Sequence, residues 1–166
     1  MLRPVTAADF GFIRSLAGRP DYAPFITDED EVALARYLDD PSAQLLIWET
    51  RGCPVGYALF CTVGDPSGGV ELRRLALDET GGGRGQRFLR LLVDHAFGAL
   101  GAARVWLDAS GENLRAMRTY ERAGFTLEGR LRQHWYRPAL GRTVDLMLYG
   151  MLRSEWESLE PLPPQA

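Results

Sequence analysis

The sequence predicts an α/β fold, a mixed sheet whose neighbouring strands are mostly antiparallel, with helices on both faces. The first observation is a strand pattern at residues 70–77, followed by a glycine cluster, an amphipathic helix and a second strand at residues 104–109. Such a succession joins two parallel strands through a right-handed crossover. The second observation is a pair of apolar strand patterns separated by Arg51 and Gly52, which predicts an antiparallel hairpin.

The N-terminal third carries two helices ahead of this hairpin. A short strand at residues 2–5 leads into a helix with Thr6 as its N-cap. Thr27 or Asp28 is expected to cap the second helix. The hairpin strands follow at residues 44–49 and 54–63.

The C-terminal half begins with the helix after the glycines. Its apolar residues recur at three- and four-residue intervals, at Leu89, Leu92, Val93, Ala96, Phe97 and Leu100. A further helix at residues 113–123 ends with Gly124 as its C′ residue. Strands at residues 125–129 and 143–151 complete the sheet, and we expect a long loop between them at residues 130–142.

Length and composition fit one domain. The 166 residues are 46% hydrophobic and 25% charged, which is ordinary for a globular protein. We expect a single domain over residues 1–157 and a disordered tail over residues 158–166. No apolar run reaches the length of a bilayer span and residues 1–4 do not begin a signal peptide, so a cytoplasmic location and no membrane partner are expected.

Charge is unevenly distributed, although the net charge is only −3. Residues 1–69 carry a net −5, residues 70–142 a net +5 and residues 143–166 a net −3. The pattern suits an anionic ligand at the centre and a cationic partner at the periphery, and a scatter of solvated charges explains it equally well. All 19 basic residues are Arg, which excludes a Lys Schiff base. We expect neither a nucleic-acid partner nor a bound metal.

The glycine cluster lies at the turn from strand to helix and comprises Gly81, Gly82, Gly83 and Gly85. Such a turn presents backbone N–H groups at a helix N-terminus, where the peptide dipoles favour an anion. No Gly-Lys-Ser/Thr follows, and Gln86 stands where a dinucleotide motif beginning at Gly81 needs its third glycine. On its own the cluster indicates either a phosphate cradle or a flexible turn.

Three segments resemble the GCN5-related N-acetyltransferases, in the family's order and spacing. Residues 75–97 resemble motif A, Gln/Arg-x-x-Gly-x-Gly/Ala, with Gly83 and Gly85 on the two glycines and Thr80 departing from the first position. Residues 113–125 resemble Asn-x-x-Ala-x-x-x-Tyr-x-x-x-Gly-Phe at every named position. Residues 128–156 resemble the C-terminal part of the branch that contains the ribosomal-protein alanine and serine acetyltransferases and spermidine acetyltransferase. The resemblance implies the GNAT acyl-CoA N-acyltransferase fold, splayed at its parallel strand pair.

The resemblance also implies acetyl-CoA as co-substrate, bound without a metal. Its pantetheine arm is expected to pair beside residues 75–77, with a backbone N–H polarising the thioester carbonyl, and its pyrophosphate to lie on the glycine turn. Asn113 orients this arm or simply caps its helix. The predicted cofactor-binding residues are Leu75, Ala76, Leu77, Thr80, Gly81, Gly82, Gly83, Arg84, Gly85, Gln86 and Asn113.

The reaction that the resemblance implies is direct attack of an amine on the thioester in a ternary complex. Glu71 is the candidate general base, and the alternative is a surface carboxylate paired with Arg73 or Arg104. Tyr120 matches the family's general acid, which protonates the departing thiolate. The alternative for Tyr120 is an aromatic of the core.

The acceptor is expected to be a primary amine: a protein N-terminal amine, a polyamine or another small amine. The acidic residues 28–31 favour a cationic partner, although acids at a helix N-terminus explain them as well. His134 and Tyr136 are the candidate substrate-binding residues, and a homodimer is possible. The rival function is a non-catalytic acyl-CoA-binding or regulatory module with the same fold.

Overall fold

The computed structural model describes residues 1–160, which form a seven-stranded sheet, five α-helices and a short 3-10 helix. Part of the predicted tail, residues 161–166, lies outside the described residues. The strands are β1 (Leu2–Pro4), β2 (Gln44–Thr50), β3 (Cys53–Cys61), β4 (Gly69–Leu77), β5 (Arg104–Ser110), β6 (Thr126–Arg137) and β7 (Arg142–Leu152). The helices are the 3-10 helix (Ala7–Asp9), α1 (Phe10–Ala17), α2 (Glu31–Asp39), α3 (Arg84–Gly98), α4 (Leu114–Arg122) and α5 (Arg153–Glu157).

The strands lie in the order β1-β2-β3-β4-β5-β7-β6, and each neighbouring pair is antiparallel except β4 with β5. This confirms the predicted mixed sheet. The parallel pair is short, since its register runs from Gly69 opposite Arg104 to Glu71 opposite Trp106. Beyond that point β4 continues beside β3 alone and β5 beside β7 alone, so the two strands diverge and leave a gap in the middle of the sheet.

Helices cover both faces of the sheet, as predicted. On one face α3 contributes Phe88 and Leu92, which are fully buried, and Phe88 stacks on Trp48 with ring centroids 5.0 Å apart. On the other face α1 and α2 pack through residues such as Ile13 and Leu34. Successive side chains of a strand point to opposite faces, and β2 accordingly divides its residues between the two apolar clusters.

Two sequence predictions about local structure are wrong. The expected loop at residues 130–142 is mostly strand, because β6 extends to Arg137 and only four residues connect it to β7. β6 is the edge strand and is exposed along most of both faces, so no apolar alternation marks it in the sequence. The second helix is capped by Asp30, whose carboxylate accepts a hydrogen bond from Ala33 N at 2.8 Å, and not by Thr27 or Asp28.

Candidate active site

A cavity of about 610 Å³ occupies the gap where β4 and β5 diverge. Its walls come from both strands, the glycine turn, α4, β6 and residues 22–27. A cleft of this size suits a small-molecule site. The predicted cofactor residues that line it are Leu75, Ala76, Leu77, Thr80, Gly81, Gly83, Gly85, Gln86 and Asn113.

The glycine turn has a backbone that other residues rarely adopt. Gly81, Gly82 and Gly83 have φ angles of 105°, 54° and 78°, all in the left-handed region that favours glycine. A Cβ atom added at any of the three would meet no atom within 4 Å, so the space beside the turn is open. Helix α3 begins directly afterwards at Arg84, whose N–H donates to Gly81 O at 3.0 Å, and the next N–H groups, of Gly85 and Gln86, lack partners within the helix. The turn therefore offers an anion both donors and room.

The side chains around this turn are arranged differently from the sequence prediction. The Arg84 guanidinium binds Asp78 at 3.0 Å and Glu79 at 2.9 Å, and neither Arg84 nor Gly82 lines the cavity. Arg115 of α4 does line it and donates to Thr80 Oγ1 at 3.2 Å. Sequence reasoning missed Arg115, which lies two residues after the motif asparagine. Arg115 thus places a positive charge on the cavity side, beside the residue that precedes the glycines.

The edge of β4 that faces the cavity is open beyond Glu71. At its end, the Tyr22 hydroxyl donates to Leu77 C=O and accepts from Leu77 N–H, both at 2.9 Å. The backbone groups of Leu77 therefore point away from β3. Because backbone groups alternate along a strand, those of Leu75 face the same side. Tyr22 occupies the groups of Leu77, so the backbone groups that this edge offers to an extended ligand are those of Leu75.

Two carboxylates lie where the strands diverge, and their surroundings differ. Glu71, the predicted base, is buried, and its Oε2 accepts from Arg73 Nη2 at 2.6 Å and from Nε at 3.0 Å. Asp108 lies two residues beyond the last parallel pair, and both Asp108 and Glu71 line the cavity. None of the ion pairs or side-chain hydrogen bonds within residues 1–160 reaches its carboxylate.

Burial, with a contribution from the nearby charge of Glu71, raises the pKa of Asp108 to about 6, while Arg73 and His134 oppose the shift. Sequence reasoning missed this residue. The signal available was an acidic side chain at the end of an otherwise apolar strand, RVWLDA. An unpaired, partly desolvated carboxylate in a cavity is a candidate proton acceptor.

Tyr120 and Asn113 of the second motif both line the cavity. Tyr120 is buried, and its ring packs edge-on against Tyr149 with centroids 5.6 Å apart. Burial, followed by the charge of Asp108, raises the pKa of Tyr120 above its ordinary value, so the phenol stays protonated. Asn113 Oδ1 accepts from Ala116 N at 3.1 Å and caps α4.

The strand β6 supplies one side of the cavity through a bulge. Its register shifts between Leu131 and Trp135, and Gln133 has a φ of 47°. As a result the consecutive residues His134 and Trp135 both line the cavity. Tyr136, predicted with His134, is 59% exposed and lies outside the lining. The sequence analysis missed Trp135 because it predicts a loop here. In a loop, no alternation of side chains indicates which residues face a cavity.

The acidic segment 28–31 is largely engaged with partners of its own. Asp28 pairs with Arg14 at 3.4 Å, and Glu29 pairs with Arg74. Asp30 serves as the N-cap of α2. Asp30 thus acts at the helix terminus, Asp28 and Glu29 are paired with arginines, and none of residues 28–31 lines the cavity.

The comparisons with known proteins agree with this geometry. Residues 10–125 match the model of the acetyltransferase (GNAT) family. The chain is 32% identical over 131 residues to an uncharacterized N-acetyltransferase of Mycobacterium tuberculosis, covering 77% of this chain and 83% of that protein. The chain therefore belongs to the acetyltransferase (GNAT) family, which confirms the resemblance seen in the sequence.

Two further similar proteins have names that state a substrate. The aminoglycoside N(6')-acetyltransferase type 1 of Klebsiella pneumoniae is 29% identical over 124 residues, which is 68% of this chain and 62% of that protein. The chain thus spans less than two thirds of the length of that enzyme. The spermidine N-acetyltransferase of Vibrio cholerae, solved with CoA and spermine, superposes with a TM-score of 0.85 at 18% identity over 95% of this chain and 98% of that one. That likeness establishes the fold.

Within the described part of the chain, no helix is long and apolar enough to cross a membrane. In the same residues, no group of three or more His, Cys, Asp or Glu side chains is placed to hold a metal ion.

Proposed function

We propose that this protein transfers an acetyl group from acetyl-CoA to a primary amine by direct attack in a ternary complex. The observation that carries the proposal is that one continuous cavity runs from the glycine turn, along the open edge of β4, to Asp108 and Tyr120. A donor site and two proton-transferring groups are thus continuous with one another. Its family and its amine-acetylating relatives support the same reaction.

The donor half of the cavity fits acetyl-CoA on the evidence of the chain's own residues. The left-handed glycines leave open space beside the first N–H groups of α3, which suits a pyrophosphate. Arg115 adds a positive charge beside Thr80. The open edge of β4 suits the extended arm, and the N–H of Leu75 is the donor we assign to the thioester carbonyl, where charge develops during attack.

The proton that the amine must lose goes to Asp108 in this proposal. An alkylammonium has a pKa of about 10.4, so it must be deprotonated before it attacks. Glu71, favoured from the sequence, has one oxygen engaged by two Arg73 donors, whereas the Asp108 carboxylate is unpaired. We assign Asp108 as the proton acceptor, directly or through a water, and Glu71 as the neighbouring charge that makes it more basic.

The leaving group requires a proton in turn. Tyr120 remains protonated in its buried site and lines the same cavity. In the balanced reaction the C–N bond forms and the C–S bond breaks. The ammonium gives one proton to Asp108 before attack, and the Tyr120 phenol protonates the departing thiolate. The second proton leaves the nitrogen as the tetrahedral intermediate collapses, and it restores the Tyr120 phenol through solvent. A covalent acyl-enzyme is not required.

The acceptor is a small-molecule or peptide amine that is cationic before it reacts. The aminoglycoside and spermidine acetyltransferases named above act on amines, and His134 and Trp135 supply the wall where such a group would lie. A homo-oligomer is in keeping with the dodecameric structure known for the Vibrio cholerae enzyme. Use of acetyl-CoA is in keeping with the predicted cytoplasmic location.

The test is acceptor-dependent release of CoA thiol from acetyl-CoA across a panel of amines and peptides. A protein blank is needed because Cys53 is exposed and reacts with thiol reagents. We expect thiol release and an acetylated amine in equal amounts, with both rates lowered about 100-fold in the Tyr120→Phe variant. If the protein binds acetyl-CoA but releases no CoA thiol in the presence of any acceptor, the proposal is contradicted and the non-catalytic module is favoured.

A further inference from the structure

Residues 22–27, called here the acceptor strap, form one wall of the cavity between α1 and α2. Phe25 and Ile26 of the strap contact the cavity directly, as do both residues that end the segment. The strap has no regular secondary structure beyond turn hydrogen bonds, such as Ile26 N to Tyr22 O at 2.8 Å. Tyr22 and Ile26 are buried in the apolar cluster beside α1 and α2, and the strap carbonyl groups left free by the turns need partners from elsewhere in the chain.

One side chain binds the strap along most of its length. Arg137, the last residue of β6, donates from Nε to Pro24 O at 2.9 Å and from Nη2 to Ala23 O at 2.8 Å and Ile26 O at 3.0 Å. Its Nη1 donates to Thr27 Oγ1 at 3.1 Å. Every one of these acceptors belongs to the strap, and Arg137 is only 3% exposed.

In the part of the chain that the structure describes, the side-chain hydrogen bonds of Arg137 all go to the strap, and its charge has no carboxylate partner. Among residues 1–160 no carboxylate forms an ion pair with it, and its guanidinium lies 3.9 Å from the ring centroid of Trp135. Burial accordingly lowers the pKa of Arg137. A buried cation without a counter-ion is costly unless its donors are satisfied. Here the carbonyl groups of the strap satisfy them, and Trp135, itself a cavity residue, is fixed by the same side chain.

The opposite side of the strap is fastened to β4. Tyr22 binds both backbone groups of Leu77, and Arg19, just before the strap, donates to Asp78 O at 2.5 Å. The strap thus bridges the strand on the donor side and the end of β6. Loss of Arg137 releases only the β6 side, and the contacts beside the donor site remain.

We propose that Arg137 is a positioning residue for the acceptor amine: it fastens the acceptor strap and Trp135 into the wall that holds the amine opposite the thioester. This inference rests on the proposed function and adds a specific determinant of the acceptor site. Arg137 itself does not line the cavity, so it acts through the residues that it holds.

The kinetic test uses Arg137→Gln, Arg137→Lys and, as a matched control, Arg132→Gln on the same strand, where the side chain is exposed. In Arg137→Gln we expect the acceptor KM to rise by about 10-fold or more, because a misplaced binding wall loses productive orientation. We expect a smaller change in kcat and no change in the Kd for acetyl-CoA. Lys retains the charge but has fewer hydrogen-bond donors, so the acceptor KM of Arg137→Lys should lie between those of the parent and Arg137→Gln. The acceptor KM of Arg132→Gln should match that of the parent.

An unchanged acceptor KM in Arg137→Gln, or an equal loss of acetyl-CoA affinity, overturns the proposal. A second measurement does not depend on turnover: hydrogen exchange of the strap amides compared with those of β3. Faster exchange confined to residues 22–27 in Arg137→Gln supports the fastening role, and unchanged exchange overturns it. If the parent acetylates no amine, the proposed function fails. Hydrogen exchange of the strap amides then tests by itself whether Arg137 fastens the strap.

Discussion

The donor and acceptor halves of the cavity are built in different ways. The donor half is made mainly of backbone from one continuous stretch, the end of β4, the glycine turn and the start of α3. The acceptor half is made of side chains from segments far apart in the chain, the acceptor strap, Asp108 and the bulge of β6. A ligand held by backbone groups depends on the shape of the backbone, whereas binding in the acceptor half depends on individual side chains. Variants should therefore separate the two halves.

The largest effect is expected from Asp108→Asn. This change removes the proton acceptor and leaves the glycine turn intact, so kcat/KM should fall by roughly 10²–10⁴-fold, the usual contribution of a general base. The Kd for acetyl-CoA should stay the same, measured by calorimetry. Asp39→Asn, an exposed carboxylate on α2, is the matched control and should retain full activity. A similarly large rise in the Kd for acetyl-CoA would contradict the view that the two halves of the cavity act separately.

Tyr120→Phe should lower kcat by about 10²-fold, because the thiolate then leaves without its proton donor. The ring remains and its packing against Tyr149 is kept, so little stability should be lost. Steady-state kinetics with a thiol of lower pKa as leaving group sharpens this test. Such a donor should narrow the difference between variant and parent, and an undiminished difference would indicate a structural role.

The donor half should respond to a change in its backbone. Gly83→Ala places a side chain at a φ of 78°, which costs roughly 1–2 kcal/mol for an L residue. If the turn shifts to relieve this strain, the Kd for acetyl-CoA should rise by about 10-fold while the acceptor KM is unaffected. Gly98→Ala, at the end of the same helix and without a positive φ, is the control and should bind acetyl-CoA like the parent.

A smaller effect is expected on stability. The pKa of Asp108, about 6, lies above its ordinary value of 3.8, so the folded state disfavours ionisation. The penalty is absent below about pH 4, grows as pH rises towards the folded pKa and is complete above it. Asp108→Asn should therefore raise the melting temperature at pH 8 relative to the parent and have little effect at pH 4. The corresponding gain in the free energy of unfolding at pH 8 is at most about 3 kcal/mol. A lower melting temperature at pH 8 would contradict the account of this site.

The same division explains what the sequence could predict. Gly81 to Gly85, Asn113 and Tyr120 sit in contiguous motifs, so their spacing predicts a donor site and a general acid candidate. Asp108 and Trp135 became visible only when the topology brought β5 and β6 to one cavity, since neither carries a local motif. Arg137 looked like one more charged residue on an edge strand, and its role depends on carbonyl groups more than 100 residues away. Edge strands exposed on both faces leave no alternation in the sequence, which is why β6 was predicted as a loop.

The most direct test of the account is the pH dependence of kcat/KM for the amine. The groups that face Asp108 are Glu71 and Arg73 on β4, His134 on β6 and Tyr120 on α4. Because the carboxylate must be ionised to accept the proton, the parent should lose activity below a midpoint near pH 6. The acid limb should be retained in His134→Gln and absent from the residual activity of Asp108→Asn. An acid limb that persists unchanged in Asp108→Asn would contradict the assignment of Asp108 as the proton acceptor.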